Sequence, residues 1–420
     1  MKSGFFAALL ISLATASCSP KPFAKPALNV GLKNELEIKN LFESNAELKD
    51  SAEAKRLKAV TDSGKRAYDW LQELNKTRPK NQALSYSSQA TTSAPTPENP
   101  KIYNGDLVLA AYSELLKTMP DVYREVLEGI GAFPSVLPVS ETEFLEWGLK
   151  VVNTYDTAAR WILMQDTLGY YETKAISDMR GYYFLSRLPN RNEKFATFSS
   201  LPQQEQSQLR EWIIGICINS QGFARFDPQK CVAEIALNEK QNTLVKFYDS
   251  HQARSKEIWN LYFELDSYFV REDVVWNSRD ANTLHYPFLK PTNPEILAYL
   301  RDNVEGEWQQ GPWKLKIDFT TADSAWSLSR LEFQKDAYAH AERNRIVMDE
   351  SEPRTEYLSQ WTIRHEFGHL LGFKDCYAEF YDSRAKVMVN YALDPSNIMC
   401  SRLGKVQPQH IALLRAQYYQ

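Results

Sequence analysis

His365-Glu366-Phe367-Gly368-His369-Leu370-Leu371-Gly372-Phe373-Lys374-Asp375 is the stretch on which the reading of this chain turns. Residues four apart share one face of a helix, so His365 and His369 point at one metal ion if the segment is helical. Glu366 stands beside the first histidine, where a general base for a metal-bound water is needed. Two imidazoles and a neighbouring carboxylate are ligand types suited to zinc, and they predict metal-assisted hydrolysis.

A catalytic zinc takes three protein ligands and keeps one position open. The helix, expected from about Glu356 to Phe373, must therefore end in a turn that brings the chain back. Gly372 is the expected helix-ending residue, because glycine enters the left-handed conformation without a Cβ penalty. Asp375 follows three residues later and is the expected third ligand. Glu366 would take the proton of the attacking water and pass it to the leaving amine.

The pattern resembles the signature of the metzincin zinc metallopeptidases, His-Glu-x-x-His-x-x-Gly-x-x-His or, in a minority, Asp. The run from Gly372 to Tyr377 is most similar to the snapalysin type. The resemblance implies a methionine in a tight turn beneath the metal, and Met399 in Asp394-Pro395-Ser396-Asn397-Ile398-Met399-Cys400 fits that role. It also implies a small twisted sheet whose edge strand pairs with an extended substrate, expected near Tyr338 to Glu342. Some clan members carry a transition-state tyrosine two residues after the methionine. Here that position is Ser401, and Tyr377 and Tyr391 are the nearby tyrosines. An anionic Asp375 leaves the bound zinc less positive than a third imidazole would, so its water is acidified less. The resemblance covers about 130 residues, from roughly 290 onward.

Two other readings remain open. Asp382, Glu379 or Asp394 could be the third ligand instead, in a different clan of zinc peptidase. The chain could also be a membrane-tethered binding or scaffold protein whose peptidase-like domain holds metal without turnover, although a structural site has no need of Glu366. The expected cofactor is Zn2+ and the expected partner a protein or peptide substrate.

The amino terminus reads as an export signal over 1–17. Lys2 is followed by an apolar run from Phe5 to Ala16, too short to span a bilayer. Ala14-Thr15-Ala16 suits ordinary signal peptidase, whereas Thr15-Ala16-Ser17-Cys18 resembles a bacterial lipoprotein site with Cys18 as the lipidated residue. On the second reading the chain is anchored in the bacterial envelope, and on the first it is periplasmic or secreted. There are five cysteines. With Cys18 removed, four remain, and in an oxidising compartment they should pair. Of the three pairings, proximity in sequence favours Cys217 with Cys231 and Cys376 with Cys400. Cys217 or Cys231 as a zinc-bound latency switch is the alternative. The net charge of −4 and the lack of a long basic run give no reason to expect nucleic acid.

The expected fold class is α+β, with a metzincin-like C-terminal domain (a small twisted mixed sheet, the motif helix and a final helix) after a mainly α-helical region. The expected divisions are a tether and helical segment at 18–84, a Ser/Thr/Pro linker at 85–100, a mainly helical domain at 101–290 and the metallopeptidase domain at 291–420. Helices are expected at 33–77, 106–119, 121–130, 141–167 and 232–269, with irregular chain from Val275 to Pro294. A helix then runs from Pro294 to about Trp308, and a final one spans Gln407 to Tyr419. Trp313 to Phe319 alternates at period two as a strand, with a second strand at Arg345 to Met348. His251, His285, His340 and His410 read as surface or packing residues, with His340 near the cleft if the edge-strand placement holds.

Overall fold

A computed structural model describes residues 42–43, 45–79, 82–86, 93–137, 139–221, 227–321, 328–335, 337, 339–350 and 354–420. The expected signal segment, Cys18, the tether, residues 33–41, Tyr338 and residues 87–92 of the expected linker lie outside them.

The helical part is built from α1 (Lys58–Asn75), α2 (Gly105–Thr118), α3 (Asp121–Leu127), α4 (Glu141–Met164), α5 (Arg180–Arg187), α6 (Gln203–Ser220), α7 (Pro228–Lys240) and α8 (Leu244–Leu261). The apolar stripe of α1 is buried as its spacing requires: Val60, Ala67, Trp70, Leu71 and Leu74 all face inward. The expected helix over 232–269 is two helices. Asn242 takes φ 52° and breaks it, and the side chain of Thr243 donates to Asn238 Oδ1 at 2.7 Å to fix the turn. α6 and α7 are joined by the Cys217–Cys231 disulfide.

The C-terminal part is α+β. It contains β2 (Thr283–Leu289), α9 (Pro294–Leu300), β3 (Gln309–Gln310), β4 (Trp313–Thr320), β5 (Arg330–Gln334), β6 (His340–Glu342), β7 (Arg345–Asp349), α10 (Tyr357–Leu370), β8 (Tyr377–Asp382), β9 (Val387–Ala392) and α11 (Pro408–Tyr418). β2 falls where irregular chain was expected. Leu284, Tyr286 and Phe288 are fully buried at period two, but Pro287 between them is a residue that argues against a central strand. β2 pairs in parallel with β4, and the short β3 lies antiparallel on the far side of β4. On its other side β2 meets Ser329 through a parallel bridge, with Leu289 N donating to Ser329 O at 2.8 Å. The strands β5, β7 and β6 continue outward, β5–β7 parallel and β7–β6 antiparallel. Two three-stranded sheets result, β3-β4-β2 and β5-β7-β6, joined by the Ser329 bridge, with β6 at the outer end of the second. The buried faces of β2, β4 and β7 pack with Ile363, Phe367 and Leu370 of α10 in one core.

The helical part does not stand apart. The strand Lys101–Tyr103 (β1) pairs antiparallel with β9, making a separate sheet in the order β1-β9-β8. Pro95, in the expected linker, accepts from Ala392 N at 2.9 Å and extends that pairing. Tyr103 donates to Glu379 Oε1 at 3.4 Å, and Arg160 of α4 pairs with Asp156 at 3.0 Å in the same buried layer. Met179 is part of the core that holds α10, and Met388 of β9 belongs to the core of α4. Among the described residues, no helix is long and apolar enough to cross a membrane.

Candidate metal centre

α10 carries the motif, and its end is a Schellman turn. Gly372 N donates to His369 O at 2.9 Å and Phe373 N to Gly368 O at 3.0 Å, with Gly372 at φ 103°. This reverses the chain and brings Asp375 back beneath the two histidines. His365, His369 and Asp375 each offer one ligand atom, and the three atoms lie within 4.8 Å of one another. Asp375 Oδ1 is 3.1 Å from His365 Nε2 and 3.3 Å from His369 Nε2.

The hydrogen bonds around the cluster decide which nitrogens face inward. His365 Nδ1 donates to Ile398 O at 3.0 Å, and His369 Nδ1 donates to Phe373 O at 2.8 Å. A carbonyl can only accept, so in the neutral imidazoles the proton sits on Nδ1 and both Nε2 lone pairs point at the cluster. Asp375 Oδ1 is buried and makes no hydrogen bond. Two bare ring nitrogens and an orphaned buried carboxylate oxygen converging on one point are the donor set a divalent cation would satisfy.

The electrostatics of the cluster favour opposite charges facing one another. Burial lowers the His369 imidazole, but the facing Asp375 carboxylate outweighs it and holds the ring up at about 9. Burial likewise raises the Asp375 carboxyl, yet the two imidazoles hold it well below the usual carboxylate range. A cation bound there would compete with protonation of His369.

Glu366 is 8% exposed, next to the ligands on α10. Among the described residues nothing hydrogen-bonds its carboxylate, which leaves both oxygens available to an incoming group. Tyr377 donates to Asp375 Oδ2 at 3.3 Å. Burial first, then the carboxylates of Asp375, Glu379 and Glu366, keep its phenol protonated far above the ordinary tyrosine range. Tyr391 is elsewhere: it donates to Asp178 Oδ1 at 2.8 Å and accepts from Met179 N at 2.7 Å, anchoring the helical part.

Met399 lies under the cluster, with its sulfur against Gly368. A Cβ at Gly368 would stand 2.3 Å from Met399 Sδ. The ligand spacing assigns Gly368 no role, although a glycine inside a helix commonly marks a close approach of this kind. The turn that holds Met399 is organised by Asn397, whose Oδ1 accepts from Met399 N at 2.8 Å and from His410 Nε2 at 3.0 Å. Ser401 serves the same turn, donating to Pro395 O at 2.6 Å. The Cys376–Cys400 disulfide joins the residue after Asp375 to the residue after Met399.

The alternative third ligands are engaged elsewhere. Glu379 meets Tyr103, Asp382 caps the turn at Arg384 and Ala385, and Asp394 accepts from Ser396 and Gln407. Cys217 and Cys231 are bonded to each other, so neither offers a thiolate as a latency switch. A second cluster, Cys217, Glu234 and His251, contains a disulfide sulfur and so keeps only two metal-competent groups. His285 pairs with Asp318 at 2.9 Å. His340 is on the edge strand β6, 3.4 Å from Glu342.

Comparison of the chain with protein-family models, with curated proteins and with solved structures finds no match.

Proposed function

We propose that this chain is an exported, zinc-dependent endopeptidase of metzincin type. The observation that carries the reading is the convergence of His365 Nε2, His369 Nε2 and Asp375 Oδ1 within 4.8 Å, beside Glu366, whose carboxylate no described residue hydrogen-bonds. The sheet order ending in the antiparallel edge strand β6, and the methionine turn under the motif helix, support the resemblance. Two disulfides fit an oxidising compartment.

His365, His369 and Asp375 would hold the zinc. When bound, the ion supplies Lewis-acid polarisation of the scissile carbonyl and makes water more acidic at the open position. Glu366 accepts the proton of the attacking water and delivers it to the amine nitrogen that leaves. Tyr377 orients Asp375 through its hydroxyl, and the carbonyls of Ile398 and Phe373 hold the imidazoles in the required tautomer. An extended peptide would add to β6, the outer strand of its sheet, as a further strand.

Metal analysis of the purified mature protein, with cleavage of a peptide library in the presence and absence of chelator, tests this reading. Stoichiometric zinc and chelator-sensitive cleavage are expected. Glu366→Gln should keep the zinc and lose turnover by about three orders of magnitude or more. Full turnover by that variant sinks the catalytic assignment, and zinc without any cleavage points to the binding or scaffold role. Envelope anchoring through Cys18 is part of the proposal: Cys18→Ala should release the protein from the membrane fraction.

A further inference from the structure

A segment that belongs to neither the sheet nor the motif helix packs against the turn that leads to Asp375. After α8 the chain descends past the end of α10. Leu265 bridges antiparallel to Phe373, and Asp266 N donates to Gly372 O at 2.6 Å. The loop is held in shape from within, since Tyr268 N donates to Asp266 Oδ1 and Phe269 N to Asp266 O, both at 3.0 Å. Leu265 and Val270 also close around Gly372, each 3.5 Å from where a Cβ would be. The helical part of the chain thus delivers a rigid segment to the metal-bearing turn.

Two aromatic rings sit on that segment. The Phe269 ring centre is 6.4 Å from that of His369. Tyr268 meets Phe269 edge-on at 5.2 Å, and its ring carries the guanidinium of Arg343 at 5.8 Å. Arg343 directly follows the edge strand β6. The pair therefore spans the distance from a candidate metal ligand to the end of the strand a peptide would join. Tyr268 is nonetheless 60% exposed, which leaves much of its ring open to solvent.

We propose that Tyr268 and Phe269 form a subsite for an apolar, preferentially aromatic, side chain of an extended peptide substrate, on the amino-terminal side of the bond cleaved. The inference rests on the endopeptidase reading. Direction follows from strand polarity. A peptide added antiparallel to β6, the commoner and slightly stronger pairing, starts at the Arg343 end and runs toward His340. The aromatic pair meets the residues that precede the metal. Chemistry follows from the lining: the two rings offer area and stacking to an apolar group, and the Asp266 carboxylate is used by its own loop.

The test uses two quenched fluorogenic peptides that differ only by Phe or Ala before the scissile bond, with the zinc-loaded full chain. The wild type should favour the Phe peptide by about tenfold or more in kcat/KM. Tyr268→Ala and Phe269→Leu should abolish that preference with zinc content unchanged, the Phe peptide losing far more in kcat/KM than the Ala peptide. No preference in the wild type, an unchanged preference in both variants, or equal loss on both peptides overturns the subsite. Binding of the same peptides to zinc-loaded Glu366→Gln, followed by fluorescence anisotropy, separates the two proposals. If the wild type cleaves neither peptide, the endopeptidase reading fails. The subsite then stands only if the Phe peptide binds more tightly and Tyr268→Ala removes the difference, and it falls if the two bind alike.

Discussion

At the level of single residues, the site depends on groups that touch the ligands rather than on the ligands alone. The Tyr377 hydroxyl holds the outer oxygen of Asp375, and groups of this kind commonly alter metal affinity by 10–100-fold. Tyr377→Phe should therefore weaken zinc by about tenfold or more in a competition titration against a chromophoric chelator, with the fold intact. Gly368 is the second case. Its missing side chain leaves room for Met399, and Trp308 Cζ2 would be 3.0 Å from an added Cβ. Both neighbours are buried, so Gly368→Ala should cost about 1–3 kcal/mol in thermal unfolding. An unchanged melting temperature would show that Met399 can withdraw.

At the level of elements, the motif helix, the methionine turn and α11 are tied by one histidine. His410 Nδ1 accepts from Gln407 N at 2.8 Å, so its proton is on Nε2, which donates to Asn397. Burial, only partly offset by the nearby Asp394 charge, pushes the ring down to about 4. The unfolded chain takes up this proton near 6.5 and the folded chain refuses it until about 4, so stability falls as pH drops through that window. The full effect is about 3 kcal/mol. Urea titrations between pH 7 and 4.5 should show the slope, and His410→Gln should flatten it. An equal slope in the variant would assign it to other groups, such as His251, which burial also lowers. The Cys376–Cys400 bridge acts on the same junction, linking the chain after Asp375 to the methionine turn, and a loop of this length is worth about 3 kcal/mol.

At the level of the whole molecule, the helical part is built into the part that carries the His365, His369 and Asp375 cluster: β1 extends the β8–β9 hairpin, Met179 enters the core of α10, and Tyr391 is locked to Asp178. A fragment of residues 291–420 alone lacks β1, β2 and Met179, and β2 is the parallel partner of β4 along its whole length and bridges to Ser329. Expressed separately, that fragment should fail to give a cooperative unfolding transition or to bind zinc stoichiometrically; a stable, zinc-binding fragment would make the helical part a detachable segment. The sequence by itself determined the local chemistry: the i, i+4 histidines, the neighbouring Glu366, the helix-ending Gly372, the nearby Asp375, the strand Trp313–Thr320 and the cysteine pairs all follow from periodicity and short spacing. It did not yield β2, because Pro287 masks an alternating strand, nor the break at Asn242, nor the roles of Gly368, His410 and Tyr268. Those depend on partners far along the chain: Met399 for Gly368, Asn397 for His410, Arg343 and His369 for the Tyr268–Phe269 pair. Short-range order is written in spacing, whereas a contact between distant segments exists only once the chain has closed on itself, and that closure brought the Tyr268–Phe269 segment against the His365, His369 and Asp375 cluster.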